Sequence, residues 1–315
     1  MPLLPAVGRR RGGRTRRALY IIFGILWFGV LLHLFPVYWM LVSSFEGNIQ
    51  AFHNPLSFWP NPAYWVYAQL LRGVFTSLLP LPVWIYARNS VVLAVGVLLT
   101  QIPVSIMAAY AISRLHSPRW RRLLFYFIIG TMMIPQEVTL IPQYLILRNF
   151  PFPINTTLPH VDFLNTYWAV ILPSITWGYA VLIFKGWFDA LPVHVMEAAR
   201  MDGAGEFRIL SQIVLPLSLP VIAFMGYQTF QSVWDSFTWP LIVLVNPHLQ
   251  PLSVALNSAQ HAISNPQPGQ FTQSSFIGWN GVMAMAMIQS LPVFAAFVIF
   301  REQIVRGVRI TGFHA

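Results

Sequence analysis

Cysteine is absent from this 315-residue chain, and charge is scarce: nine acidic and 19 basic side chains, 9% of all residues. The first absence excludes a disulfide scaffold, a thiolate metal site and a cysteine nucleophile. The second sets the chain apart from soluble globular proteins, in which about a quarter of residues are charged. With 56% hydrophobic residues and a mean hydropathy of +0.61, a soluble particle could not cover its apolar content with polar side chains. A disordered chain is excluded too, because that state needs low hydrophobicity and high charge. Phosphate loops of the G-x-x-x-x-G-K-[ST] type, H-E-x-x-H zinc spacings and G-x-S-x-G nucleophile elbows are also missing. The chain therefore has none of those routes to nucleotide binding, metal-assisted hydrolysis or acyl transfer. No repeat of 20–50 residues is present.

Apolar runs long enough to cross a bilayer, about 20 residues each, occur six times: at about Ala18 to Val42, Val91 to Leu115, Leu123 to Leu145, Tyr167 to Phe184, Leu217 to Val245 and Phe276 to Phe300. The sequence thus predicts an all-α, polytopic membrane protein with six transmembrane helices. Short cytoplasmic loops collect Lys and Arg, and all but Arg72, Arg88 and Arg148 of the 19 basic residues fall on one side of this arrangement. They precede the first span (Arg9, Arg10, Arg11, Arg14, Arg16, Arg17), separate the second from the third (Arg114, Arg119, Arg121, Arg122), and follow the fourth (Lys185, Arg200, Arg208) and sixth (Arg301, Arg306, Arg309). Both termini are expected to be cytoplasmic. The net charge of +10 then reports orientation and not nucleic-acid binding, which needs a soluble basic face. The first span is too long for a signal-peptide core and is expected to remain as a permanent helix.

Four segments are expected: a basic cytoplasmic start over 1–17, a first transmembrane helix and long outer loop over 18–87, a main membrane domain over 88–306 and a cytoplasmic tail over 307–315. Pro55, Pro60, Pro62, Pro80 and Pro82 alternate in the outer loop with Trp59, Tyr64, Trp65, Tyr67 and Trp84. Proline at that density prevents a long helix, and the aromatics suit the headgroup level.

The cytoplasmic segment from Leu191 to Pro216 is more than a connector. Pro192 suits the start of a helix. Glu197 and Arg200 form an i,i+3 pair, and Asp202-Gly203 supplies a break, with Gly203 free to take the left-handed conformation. A second short helix follows, its inner face drawn from Phe207, Leu210, Ile213 and Val214. The product is a compact helix-turn-helix with small alanines exposed, suited to docking another protein. A loop lying flat on the headgroups is the alternative reading of the same pattern.

Glu197-Ala198-Ala199, three residues, Gly203, nine residues, Ile213, one residue and Leu215-Pro216 resembles the signature of the permease subunits of ABC importers. The resemblance implies that this segment is the coupling helix, which sits in a cleft on an ATP-hydrolysing subunit. Pro36 to Met40 before Ser44-Phe45, Met133-Ile134-Pro135 with Ile141-Pro142, Trp234 with Pro240, Leu291-Pro292 and the tail from Gln303 to Gly312 are similar to the carbohydrate-uptake permeases of the maltose type. Trp234-Asp235 departs from that family's frequent Trp-Asn, and Phe313-His314-Ala315 replaces its basic ending. The resemblance implies a second permease as a heterodimer partner, two ATPase copies that bind ATP and Mg, an extracytoplasmic solute-binding protein and a place in a bacterial or archaeal cytoplasmic membrane. No cofactor is expected in this chain.

Ionisable groups inside a membrane usually face a partner or a water-filled cavity. Gln228, Gln231, Ser232 and Asp235 share one face of the fifth span at helical spacing. With Tyr227 and Trp234 beside them they offer amide, carboxylate and aromatic groups of the kind that recognise sugars. Asn280 in the sixth span is a further candidate. Helix-to-helix glue, at about 0.6–2 kcal/mol per group, is the alternative role. Gln101 and Ser105, Gln136 and Glu137, and Gln289 are weaker candidates. His33 reads as a satisfied helix residue, and Met283, Met285 and Met287 as packing. The expected function is therefore a non-enzymatic permease subunit for a sugar or polyol. A glycerol phosphate permease and a membrane-embedded enzyme are the rivals, the latter poorly served by Asp235 and His33 alone.

Overall fold

The computed structural model describes residues 12–46, 65–72, 79–114, 117–151, 160–264 and 278–311, without the side chains of residues 12–18, 65 and 304–311. The arginines before Gly12, most of the proline- and tryptophan-rich outer loop and the Phe313-His314-Ala315 ending lie outside the described residues. The chain divides into two compact units, residues 1–67 with 277–287 and residues 68–276 with 288–315.

In the first unit, α1 (Gly12–Ser44) presents an almost continuous apolar surface from Leu19 to Leu34. Such a helix, apolar all round, belongs in lipid. His33 Nδ1 lies 2.7 Å from the Gly29 carbonyl one turn back, so the imidazole is satisfied within its own helix. Ser44 closes the helix: its hydroxyl donates to the Leu41 carbonyl at 2.6 Å and lies 2.7 Å from the Tyr67 hydroxyl.

After α2 (Trp65–Arg72), the second unit is organised around α3 (Val83–Arg114), which packs against α7 (Gly178–Ala190) and α10 (Leu219–Asp235). Proline sets the remaining architecture. Between α4 (Pro118–Met132) and α5 (Gln136–Arg148) the chain turns by 99°, with Pro135 at the break. Between α6 (Trp168–Ser174) and α7 it bends by 42° just after Pro173. Between α9 (Glu206–Leu217) and α10 it turns by 79° at Ser218, flanked by Pro216 and Pro220. A proline removes an i→i−4 hydrogen bond and its ring clashes with the preceding turn, which suits the breaks at these three places. With the three single helices Leu19–Ser44, Val83–Arg114 and Trp279–Gln303, the three bent pairs account for six candidate spans. The fifth span differs from expectation, because α10 stops at Asp235 and a separate α11 (Thr238–Val243) replaces its predicted end. The remaining elements are α8 (Val193–Met201), α12 (Leu252–Ser264) and α13 (Trp279–Thr311).

Two apolar clusters lie along α3. One joins Ile106, Ala109 and Tyr110 to Phe184 and Phe188 of α7, Met196 of α8, Ile209 of α9 and Met225 of α10. The other joins Leu93 and Val97 to Leu147, Ala169 and Trp239. Between them in sequence lies a polar layer at Gln101. Its amide donates to the Ser174 carbonyl at 2.7 Å and its oxygen accepts from the buried Thr229 hydroxyl at 2.7 Å.

Candidate translocation path and coupling loop

A cavity of about 240 Å³ opens beside this polar layer, lined by Gln101, Gln136, Gln143, Ser174, Thr229 and Ser232 among its polar groups, with Trp177 and Trp239 as aromatic walls. A neighbouring cavity of about 260 Å³ shares Gln136 and Trp239 and adds Glu137, Asp235 and Thr238. Neither lining contains a lysine or arginine. Such walls can exchange hydrogen bonds with hydroxyl groups and offer ring faces to C–H surfaces.

The predicted stripe on α10 enters this space only in part. Ser232 lines the first of these cavities and Asp235 the second, whereas Gln228 and Gln231 belong to neither lining. At 3.6 residues per turn, Thr229, Ser232 and Val233 form the arc that faces the first cavity, and the arc of Gln228, Gln231 and Asp235 is rotated from it by about a third of a turn. Trp234 is a packing residue: it is 2% exposed, stacks on Phe230 at 5.4 Å and donates its indole N–H to the Gln289 carbonyl of α13 at 2.9 Å. Asp235 also hydrogen-bonds the Gln289 side chain. The end of α10 is therefore tied to α13 by the glue that the sequence offered as an alternative. Asn280 serves the first unit, where its fully buried amide donates to the Glu46 carbonyl at 3.1 Å and accepts from the Gly278 and Gly281 backbone N–H groups. Thr229 went unnoticed in the sequence because a single threonine in an apolar helix carries no pattern. Gln101 and Gln136 rank low in the sequence, yet both line the first cavity.

At the other end of α3, the Leu191 to Pro216 segment folds as a helix-turn-helix. Gly203 adopts φ +79°, the left-handed region that glycine enters without steric cost. Its N–H donates to the Arg200 carbonyl at 3.0 Å, and the Ala204 N–H reaches back to the Ala199 carbonyl at 2.9 Å. These two bonds are the Schellman closure of a helix. Glu197, Ala198, Asp202 and Pro216 are exposed, while Ala199, Ile213 and Leu215 pack partly against the first apolar cluster. The turn is braced by Glu206, which accepts from the Tyr110 hydroxyl at 2.6 Å and from Arg200 Nε at 2.9 Å. Arg200 thus pairs with Glu206 and not with Glu197 as its spacing suggested. The turn at Gly203 brings Glu206 back alongside α8, and that hydrogen bond raises the Arg200 pKa above its ordinary value. Phe207 also differs from expectation. It is 81% exposed, and Ile209 takes the inner position with Leu210 and Val214, because residues 210–214 form a π turn that shifts the helical phase. Met201, 89% exposed, stands with Phe207 on the outer surface of this knob. Among the described residues no group of three or more His, Asp or Glu gathers as a metal site.

The chain is similar to known proteins in sequence and in fold. The sn-glycerol-3-phosphate transport system permease protein UgpE of Yersinia enterocolitica is 31% identical over 296 residues, covering 93% of this chain and 97% of the relative. The Salmonella typhi protein of the same name is 29% identical over 300 residues, covering 93% and 97%. Among solved structures, a chain of a bacterial ABC transporter involved in the import of the acidic polysaccharide alginate superposes with a TM-score of 0.75 at 20% identity, covering 95% of this chain and 99% of that one. A chain of the alginate transporter in complex with its pentasaccharide-bound periplasmic protein gives a TM-score of 0.61 at 14% identity, covering 96% and 99%. Residues 101–310 match the family described as binding-protein-dependent transport system inner membrane component, and with six candidate spans and a helix-turn-helix knob, the chain belongs to it: a multi-pass permease subunit of an ABC importer, a transport component and not an enzyme.

Proposed function

We propose that this permease forms one side of the translocation path for an uncharged sugar or polyol, with Gln101, Gln136, Thr229, Ser232 and Asp235 on the path wall. The observation that carries the reading is the wall chemistry: amides, hydroxyls, two indoles and two carboxylates, without one basic side chain. An anionic solute would find no counter-charge there and would meet Glu137 and Asp235. In the same reading Gln228 and Gln231, on the adjoining arc of α10, face a second permease across a heterodimer interface and complete the path from that side. Asn280 holds the start of α13 through its bond to the Glu46 carbonyl. The loop around Glu197, Ala198, Ala199, Asp202 and Gly203, steadied by Ile213, Leu215 and Pro216, docks on one of two ATPase subunits. Those subunits hold ATP and Mg. An extracytoplasmic solute-binding protein delivers the substrate, and both chain termini lie on the cytoplasmic side. ATP-driven closure of the ATPases moves the knob as a rigid body and alternates access to the cavity.

A phosphorylated polyol is the second reading, favoured by the names of the relatives. Proteoliposomes containing the complete importer and its binding protein, given labelled neutral sugars, polyols and sn-glycerol 3-phosphate in parallel, separate the two. Uptake of a neutral solute, abolished by Ser232→Trp, is expected. Uptake of the phosphate ester alone would overturn the proposal.

A further inference from the structure

A third cavity, about 440 Å³ in volume, is chemically the reverse of the path. It lies where the end of α3, the start of α4 and the end of α7 meet, and is lined by Ser113, Arg114, Arg121, Arg122, Phe125, Lys185, Asp189 and Val193. Four cations share it with one carboxylate, and that carboxylate is already committed. Asp189 Oδ1 accepts from the Ser113 hydroxyl at 2.6 Å and Oδ2 from Lys185 Nζ at 2.5 Å. Lys185 also stands 4.8 Å over the Phe125 ring. The three arginines have no share of that charge. Arg114 gives one Nη to the Phe188 carbonyl at 2.7 Å, and its Nε is buried without a hydrogen-bond partner. Among the described residues, Arg122 makes only a long 3.4 Å contact with the Pro118 carbonyl through Nε. Buried donors are normally satisfied, and a guanidinium with free N–H groups matches a phosphate oxygen pair in geometry and charge.

The surroundings fix the level of this cleft. Trp120, exposed at 61%, stands beside the arginines, and one turn further along α4 the exposed surface becomes apolar at Leu123 and Phe127. Exposed tryptophan between basic and apolar surface marks the headgroup layer of a bilayer. We propose that this cleft binds the phosphodiester of an anionic membrane lipid, held by Arg114, Arg121 and Arg122, with the acyl chains running along the apolar face of α4. Val193, the first residue of α8, is part of the lining. Occupancy therefore braces the root of the coupling knob from the lipid side.

The test uses the complete importer in nanodiscs containing phosphatidylglycerol and phosphatidylcholine, with bound lipid read by native mass spectrometry. The wild type should retain phosphatidylglycerol selectively. Arg121 and Arg122 are exposed, so Arg121→Gln with Arg122→Gln should leave the fold intact. The pair should lower retention roughly fivefold per arginine, about 25-fold together. Arg119→Gln, exposed on the same helix but outside the lining, should leave retention unchanged. Inorganic phosphate at the same headgroup concentration should not displace the lipid. Equal retention of the two lipids by the wild type, an effect of Arg119→Gln equal to that of the pair, or full displacement by inorganic phosphate would each overturn the proposal.

Discussion

Replacing Gly203 with alanine isolates the contribution of one backbone angle to coupling. A Cβ built on Gly203 meets nothing within 4 Å, and the same holds for Gly205 two residues on. Only Gly203 has a positive φ, at +79°, whereas Gly205 lies at φ −72° and ψ 161°. Sterics between neighbours therefore cancel in the comparison, and what remains is the cost of placing an L side chain in the left-handed region, about 1–2 kcal/mol. That cost falls on the two hydrogen bonds that close α8, Gly203 N–H to Arg200 and Ala204 N–H to Ala199. Opening of the turn should become about 5- to 30-fold more frequent. Hydrogen exchange of the amides at 203 and 204, followed in the assembled importer, should lose protection by that factor in Gly203→Ala and stay near the wild type in Gly205→Ala. Gly203→Asn should fall between, because asparagine tolerates this conformation better than alanine. Solute-stimulated ATPase activity should follow the same order, with basal ATPase activity unchanged. Equal exchange and equal coupling in the alanine variants at 203 and 205 would refute the argument that the left-handed turn holds the knob.

Two further substitutions test the packing around α3. Asn89 is fully buried, its amide donating to the His248 and Gln250 carbonyls at 2.8 and 2.9 Å and its oxygen accepting from the Tyr167 hydroxyl at 2.8 Å. Asn89→Leu should destabilise the detergent-solubilised protein by about 2–4 kcal/mol, since several buried polar groups lose partners at about 1–3 kcal/mol each; thermal unfolding reads it, and an unshifted midpoint would count against the network. Gln101→Leu removes the link between Ser174 and Thr229 and should cost about 1–4 kcal/mol, two membrane hydrogen bonds at about 0.6–2 kcal/mol each. It should also lower uptake more than Gln228→Leu, because Gln228 lines neither cavity.

Local backbone chemistry was legible in the sequence, and the facing of side chains was not. The turn at Gly203 and the six candidate spans follow from properties that each residue carries with it: glycine's access to positive φ, proline's missing N–H and the apolar content of 20-residue windows. The polar face of α10 was legible as a period, but a period names a face without saying which of its arcs a neighbour covers. Thr229 and Ser232 border the first cavity because α3 supplies Gln101 opposite them, and α3 is more than a hundred residues away in sequence. The partner of Arg200 was misread for the same reason. Spacing places Glu197 three residues away, while the closed turn delivers Glu206 within 2.9 Å. Phe207 was misplaced by assuming an unbroken helical phase across residues 210–214, where a π turn intervenes.

The same long-range contacts give the knob and the path a common support. Tyr110 and Gln101 lie on one helix nine residues apart, a rise of about 13–14 Å along α3. The first holds Glu206 at the foot of the knob, and the second holds Thr229 of α10 and the carbonyl of Ser174 beside the cavity. Knob and cavity wall are also joined through the chain itself at Ser218, where α9 turns by 79° into α10. A displacement of α8 and α9 can thus reach α10 through the Ser218 elbow, and α3 opposes it at both hydrogen-bonded points. If α3 acts as the fixed member, Tyr110→Phe should loosen the knob without altering the cavity, and Gln101→Leu should loosen the cavity wall without altering the knob. The double variant should then be additive in stability, because the two sites are more than 10 Å apart and share no partner. A coupling energy well above about 0.5 kcal/mol between them would mean that α3 itself moves in the transport cycle.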